Sequence, residues 1–296
     1  MFRAAAVVGP PTRPLQVFYG LSQAGRAIAC AAWGLKGEDW RLASHGIKAT
    51  GFDKDFADIE LRTDPSGSQG SFVRLSELLH SPVWQKKPVR LEDVWDTLPA
   101  NLEHPLTDRA RLTPLYADQE NVGEHDHPLL SIPVCDIPDR VIDADSREVL
   151  DDFLTSYPHM ASRESYVRRS MEPDAAPDFT RYQTSGGELQ LNWLMPSGKT
   201  TGAERLEYLR SITRAYAGQR YFLPVIAHLT CEFHPLMAWW AVLYALSMLA
   251  RYEPARWVGH INVDSSRHAV HIERFLEQAL VQLPAVIADT IDEVAG

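Results

Sequence analysis

From Gln16 to Gly34 apolar residues return every three or four positions (Val17, Leu21, Ala24, Ile28 and Ala31/Ala32), the spacing of one face of an α-helix. The same stretch is dense in small residues, Ser22, Ala24, Gly25, Ala27 and Ala29, which lets another helix or backbone approach closely. Tyr19, Ser22 and Arg26 share the helix at i, i+3 and i+7 and present polar donors on one side. Gly34 and Gly37 end the pattern, and "EDWRLASHGIKATGF" reads as a short helical or turn segment closing at Gly46. The fifteen residues before the helix are Pro-rich and read as an extended arm.

Further on, Ala57 to Arg62 suits a strand, and "SFVRLSELLHSP", "RLEDVWDTLPANL" and "REVLDDFLTSYP" suit short helices. Residues 101–140, rich in Pro, His, Asp and Glu, show weak periodicity. "RYQTSGGELQLNWLMP" and "QRYFLPVIA" turn to alternating, β-rich runs bounded by Gly and Pro, the mark of a few antiparallel strands. "PLMAWWAVLYALSMLARYEP" then predicts a long apolar helix opened by Pro235 and stopped by Pro254. Ile272, Phe275, Leu276, Ala279, Leu280, Leu283 and Ile287 mark a final helix over about 265–294, with a kink expected at Pro284. These elements predict a mainly α (α+β) fold, its N- and C-terminal helices packed together around a small antiparallel β insertion in the middle. Neither a repeat nor a clear linker divides the chain, so a single domain is expected over 1–296.

Composition narrows the functional classes. The 296 residues are 45% hydrophobic, enough for a substantial core, and the net charge of −10 argues against a broad nucleic-acid or anionic-membrane footprint. The three cysteines, Cys30, Cys135 and Cys231, are odd in number, widely spaced and set among apolar residues, as in a reducing compartment. The N-terminus does not read as a signal peptide, and the sixteen apolar residues from Pro235 to Ala250 fall short of the roughly twenty a bilayer span needs. A cytoplasmic protein without membrane attachment is expected.

Local motifs do not specify a reaction. "MPSGKTTG" ends like a phosphate loop, but Trp193 stands where the leading Gly belongs, so the run reads as a polar turn. His125, Asp126 and His127, with His104 upstream, offer ligand types without the paired spacing of a zinc site, so neither metal nor cofactor is expected. A nucleophile elbow is absent. Two Arg/His pairs, Arg41/His45 and Arg256/His260, sit four apart, which on a helix stacks the two side chains on one face. A His moving a proton while an Arg stabilises phosphate charge is the chemistry of metal-independent RNA cleavage. The structural alternative is that both types cap helix ends and fill core hydrogen bonds.

"FYGLSQAGRAIACAAWGL", "WRLASHGI" and "HPLMAWWAVLYALSMLARYEPARW" together resemble the YaaC-like family of bacterial proteins, across roughly Leu15 to Ala288. More distantly, an aromatic pair, small residues, Arg26 and a following Ser44-His45 look like the core of HEPN-type helical domains. That resemblance implies a metal-independent ribonuclease or an inactive binding module, often dimeric, with Arg26 and His45 at the matching positions. Its nuclease members space Arg and His more widely than either pair here. The expectation is a binding or effector component of a stress or phage-defence system. A HEPN-like ribonuclease and a nucleotide or small-molecule-binding regulator are the alternatives. The catalytic candidates are Arg26, Arg41 and His45, and the ligand-binding candidates are Tyr19, Ser22, Arg251, Tyr252 and His260, with His234 near the same cleft. RNA or a nucleotide, a protein partner and a second copy in a homodimer are the expected partners.

Overall fold

The structure is a computed structural model and describes residues 1–32, 36–37, 41–119, 122, 126, 128–144, 146–160, 165–167, 189–195 and 199–296. Where one domain is expected, the chain divides into two compact units, Met1–Leu112 with Ile226–Gly296, and Thr113–Val225.

The first unit opens with helices α1 (Phe2–Ala6) and α2 (Arg13–Ala31), followed by strands β1 (Ile47–Thr50) and β2 (Glu60–Thr63), helix α3 (Ser71–Leu78), strand β3 (Val89–Arg90) and helix α4 (Leu91–Trp95). The second unit carries β4 (Leu115–Ala117), β5 (Leu129–Cys135), α5 (Asp139–Ile142), α6 (Arg147–Leu154), β6 (Ser165–Val167), β7 (Leu189–Leu194), α7 (Gly202–Ile212), β8 (Arg214–Tyr216) and β9 (Gln219–Phe222). The chain then returns to the first unit with α8 (Pro235–Tyr252), α9 (Pro254–His260) and α10 (Ala269–Ala295). The result is a mixed α+β protein with two antiparallel sheets.

In the first unit α8 is the centre. Every residue from Pro235 to Leu249 is buried, because this helix is apolar on all sides and neighbours cover it all round. Among them is α2, which also packs on α10 and α3. Close approach of α2 depends on Gly25, where a Cβ would fall 2.6 Å from Trp240 and 2.8 Å from Leu75. Phe18 meets the Trp240 ring edge-on at 6.0 Å, and Phe275 of α10 stacks on Trp239 at 4.4 Å. Fully buried aromatic side chains of this size each contribute on the order of 2–3 kcal/mol through area removed from water. The sheet of this unit, β1-β2-β3, is antiparallel, and the sequence pattern predicts only part of its second strand.

One expectation is corrected here. The first fifteen residues are not an extended arm: α1 forms over Phe2–Ala6 and packs where Gly20 leaves room beside Phe2, and Arg13 already begins α2. Pro14 sits in the first turn of α2, where its missing N–H costs nothing. Pro254 stands where the stop of the long helix is expected, just past the Glu253 C-cap of α8, and it opens the short helix α9, whose Trp257 is buried and donates its indole N–H to the Pro11 carbonyl at 3.1 Å.

The second unit is built on a six-stranded antiparallel sheet in the order β6-β7-β5-β4-β9-β8, in the middle of the chain where β structure is expected. Trp193 stacks on Phe222 at 5.5 Å across its core, and the buried Tyr157 hydroxyl donates to the Thr113 carbonyl at 2.8 Å. Of the phosphate-loop-like run, residues 196–198 lie outside the described residues. The run leads into helix α7, which the sequence pattern does not predict. Thr201 and Glu204 form a capping box at its start, and Asp126 accepts from the Gly202 N–H at 3.0 Å. Carboxylates satisfy that helix start, which leaves it ill suited to a phosphate. The rest of the His125–His127 run also lies outside the described residues.

Candidate functional site

Ser44 and His45 owe their position to the start of α3. Their carbonyls accept from the Ser71 and Phe72 N–H groups at 2.7 and 2.9 Å, satisfying donors that a helix start leaves free. The two strands of chain meet at Gly46 and Gly70, where a Cβ on Gly70 would lie 2.2 Å from the Gly46 Cα. Gly46 also takes φ of +70°, a conformation side chains disfavour. Residues 41–46 are therefore irregular rather than helical. The four-residue spacing does not stack Arg41 on His45, which corrects the expectation of one helical face. Arg41 is exposed.

His45 is placed against aromatic rings instead, 5.6 Å from Phe18 and 5.4 Å from Tyr244. Burial first, and then the Arg251 charge, hold its imidazole below the ordinary value, so it is neutral at pH 7. Arg251 sits in the last turn of α8, where a cation suits the helix dipole. Its guanidinium donates to the Tyr19 hydroxyl at 3.0 Å and lies 5.2 Å from the centre of the Tyr252 ring. Tyr252 is 62% exposed. Tyr244 beneath is buried, and burial, Tyr252 and Asp64 push its phenol up to about 12. Tyr19, His45, Arg251 and Tyr252, predicted from separate stretches, thus form one cationic, aromatic face.

Other candidates fall elsewhere. Arg26 is exposed and donates to Gln23 on its own helix at 3.3 Å; the cation that acts on His45 is Arg251. Ser22 is half-buried one turn beyond Tyr19. His234 is buried as the N-cap of α8, its Nδ1 accepting from the Leu236 N–H at 3.2 Å and its Nε2 facing Glu293 at 3.0 Å, a structural role. Arg256 and His260 do sit one turn apart on α9, and both line an open groove of about 360 Å³ with Lys54, Asp55 and residues 265–268.

A third polar cluster was not foreseen. Buried Glu92 accepts from Arg109 and from Thr107, and also pairs with Arg90 at 2.7 Å; Arg109 continues to Asp58. Nearby, Asp96 pairs with Arg111 at 3.2 Å, and Arg111 also donates to the Leu102 carbonyl. Arg90, Glu92, Asp96, Arg109 and Arg111, with Asp93, line a cavity of about 100 Å³ in which the charges are already matched, so the cluster reads as an internal clamp. Among the described residues, no group of three or more His, Cys, Asp or Glu is arranged to hold a metal ion. No helix among them is long and apolar enough to cross a membrane.

The family model described as YaaC-like Protein matches residues 1–291. The chain belongs to the YaaC-like family. Neither the curated proteins nor the solved structures include a match to it. For this YaaC-like chain the family assignment names no reaction, so the functional reading rests on the site's own chemistry.

Proposed function

We propose that this YaaC-like protein is a binding or effector component whose ligand is a nucleotide, docked on the face formed by Tyr19, His45, Arg251 and Tyr252. The carrying observation is the guanidinium of Arg251, steadied by the Tyr19 hydroxyl and set against an exposed Tyr252 ring. A base stacks on Tyr252 or the His45 ring, and Arg251 supplies the cation for a phosphate. The net charge of −10 favours a single small anion over a long RNA, which gathers repulsion along its length. The stress or phage-defence setting belongs to the same reading.

The test is ligand-induced thermal stabilisation with a panel of purine and pyrimidine mono-, di- and triphosphates. A member of the panel is expected to raise the melting temperature of the wild-type protein, with the shift lost in Arg251→Ala and reduced in Tyr252→Ala. A panel without effect, or shifts unchanged in both variants, would sink the reading. A second reading, metal-independent RNA cleavage, draws on His45, a neutral imidazole available as a base beside Arg251. It predicts RNA cleavage in the presence of chelator that disappears in His45→Ala. The HEPN-like site built on Arg26 predicts the same loss in Arg26→Ala.

A further inference from the structure

We propose that the groove between Lys54–Asp55, α9 and the start of α10 is a second, separate site that binds the dianionic phosphoryl group of a small molecule and takes up a proton at His260 on binding. Its volume of about 360 Å³ lies within the range of small-ligand sites, about 300–1,000 Å³. Three cations line it, Lys54, Arg256 and Arg267, against the single carboxylate of Asp55. Lys54 pairs with Glu60, Arg256 with Glu253 at 3.5 Å and Arg267 with Asp55 at 3.0 Å. Pairs this exposed are weak, so an incoming dianion can share or replace them.

The backbone adds to the charge. The groove includes residues 265–268, which lead into the 27-residue α10. That helix has no side-chain cap and no acid in its first turn, so the positive end of its dipole lacks a negative partner from its own sequence. His268, the N-cap, is 3% exposed, its Nε2 faces Asp55 Oδ1 at 3.1 Å, and its Nδ1 is buried without a hydrogen-bond partner. Asp55 in turn caps the short 3-10 turn over Phe56–Asp58 by accepting from the Ala57 N–H. The Asp55–His268 pair therefore ties together the two walls of the groove.

His260 is the group free to respond. It is half-buried, 5.3 Å from the Phe56 ring, and its ring nitrogens make no hydrogen bond among the described residues. Facing it are Arg256 on its own helix, Arg267 and His268 from the α10 approach, and Lys54 and Asp55 from the opposite wall. Burial comes first, followed by His268 and Arg256, in holding it below the ordinary imidazole value against the pull of Asp55. A dianion seated between Arg256 and Arg267 reverses that balance and favours imidazolium, whose N–H then donates to the ligand.

Sulfate keeps its two charges from pH 6 to pH 8, so calorimetric titration of the whole chain with sulfate isolates the protein's own proton. Binding is expected to be roughly tenfold tighter at pH 6 than at pH 8, with His260→Gln flattening that dependence. Arg267→Ala and Arg256→Gln, checked for unchanged circular dichroism, are each expected to weaken sulfate binding at least fivefold. Inorganic phosphate and glycerol phosphate, titrated in parallel, separate the sources: tighter binding of the ester identifies a phosphorylated metabolite, the reverse identifies free phosphate. Arg267→Ala and Arg256→Gln leave the nucleotide-induced thermal shift unchanged, so this site and the nucleotide face fail independently. No sulfate binding at either pH, or affinity unmoved in both arginine variants, overturns the site; pH-independent binding overturns its proton uptake.

Discussion

Arg251 is exposed, yet its guanidinium is held in place by the Tyr19 hydroxyl on one side and the Tyr252 ring on the other. Exposed contacts of this kind are worth little to folding, about 0.5–1 kcal/mol. Tyr19→Phe is therefore expected to leave the melting temperature within a degree or two while loosening nucleotide affinity several-fold, a contrast that calorimetry and thermal unfolding on one preparation will show. Asp96 works in the opposite sense, on stability rather than function. Burial holds its carboxyl up at about 6, against an ordinary 3.8. Between those values the folded protein keeps a proton that the unfolded chain has released, so Asp96 costs stability as pH rises through that window. The cost is on the order of 2–3 kcal/mol. Asp96→Asn retains an oxygen for Arg111, and in urea unfolding it is expected to remove this slope and to match or exceed the wild type at pH 7. His45, His260 and His268 carry the other sign. All three are held below 6.5, so the unfolded chain takes up protons first and their contribution is lost as pH falls below about 6.5. The Asp96→Asn variant should accordingly lose stability more steeply than the wild type as pH falls from 7 to 5.

Among the elements, the contact of α2 with α8 is the most sharply specified. A methyl at Gly25 has Trp240 and Leu75 in its way, and both belong to packed neighbours. Gly25→Ala is expected to destabilise by about 1–3 kcal/mol through overpacking, although alanine is the better helix former, and the melting temperature measures it. Thr201→Ala removes one half of the α7 capping box and is expected to cost about 1 kcal/mol in the unit that carries it. The stripe Val17, Leu21 and Ile28 made α2 legible in the sequence, and Pro235 marked the start of α8, because helical burial leaves a periodic trace. Arg41 and His45 show where such reasoning stops. Their spacing carries meaning only on a helix, and the Gly46–Gly70 approach, a contact between distant segments, decides that no helix forms there. α7 was missed because its stripe is interrupted by charged residues: buried Arg205 occupies a position an apolar residue would mark.

At the scale of the molecule, Tyr19 and Arg251 are 232 positions apart, and their types were recognised without their contact, which only the packing of α2 on α8 creates. The phosphoryl groove was still less legible. Asp55 and His268 each resemble an ordinary turn residue, and what makes them a pair is the meeting of two segments 213 positions apart. The division into two units left no compositional linker, because the chain leaves and re-enters the first unit within ordinary, folded sequence at Leu112/Thr113 and Val225/Ile226. Within a chain of net charge −10, Arg251 and its aromatic partners share one face, and Lys54, Arg256 and Arg267 line a groove. Anionic small molecules are the ligands this distribution suits. The measurement that tests this most directly is calorimetric titration of nucleotides into the wild-type protein and Arg251→Ala side by side. Saturable binding that falls at least tenfold in the variant, with its fold unchanged, is the predicted result. Affinity equal in the two proteins, or heat of dilution alone from every nucleotide tried, would contradict the account.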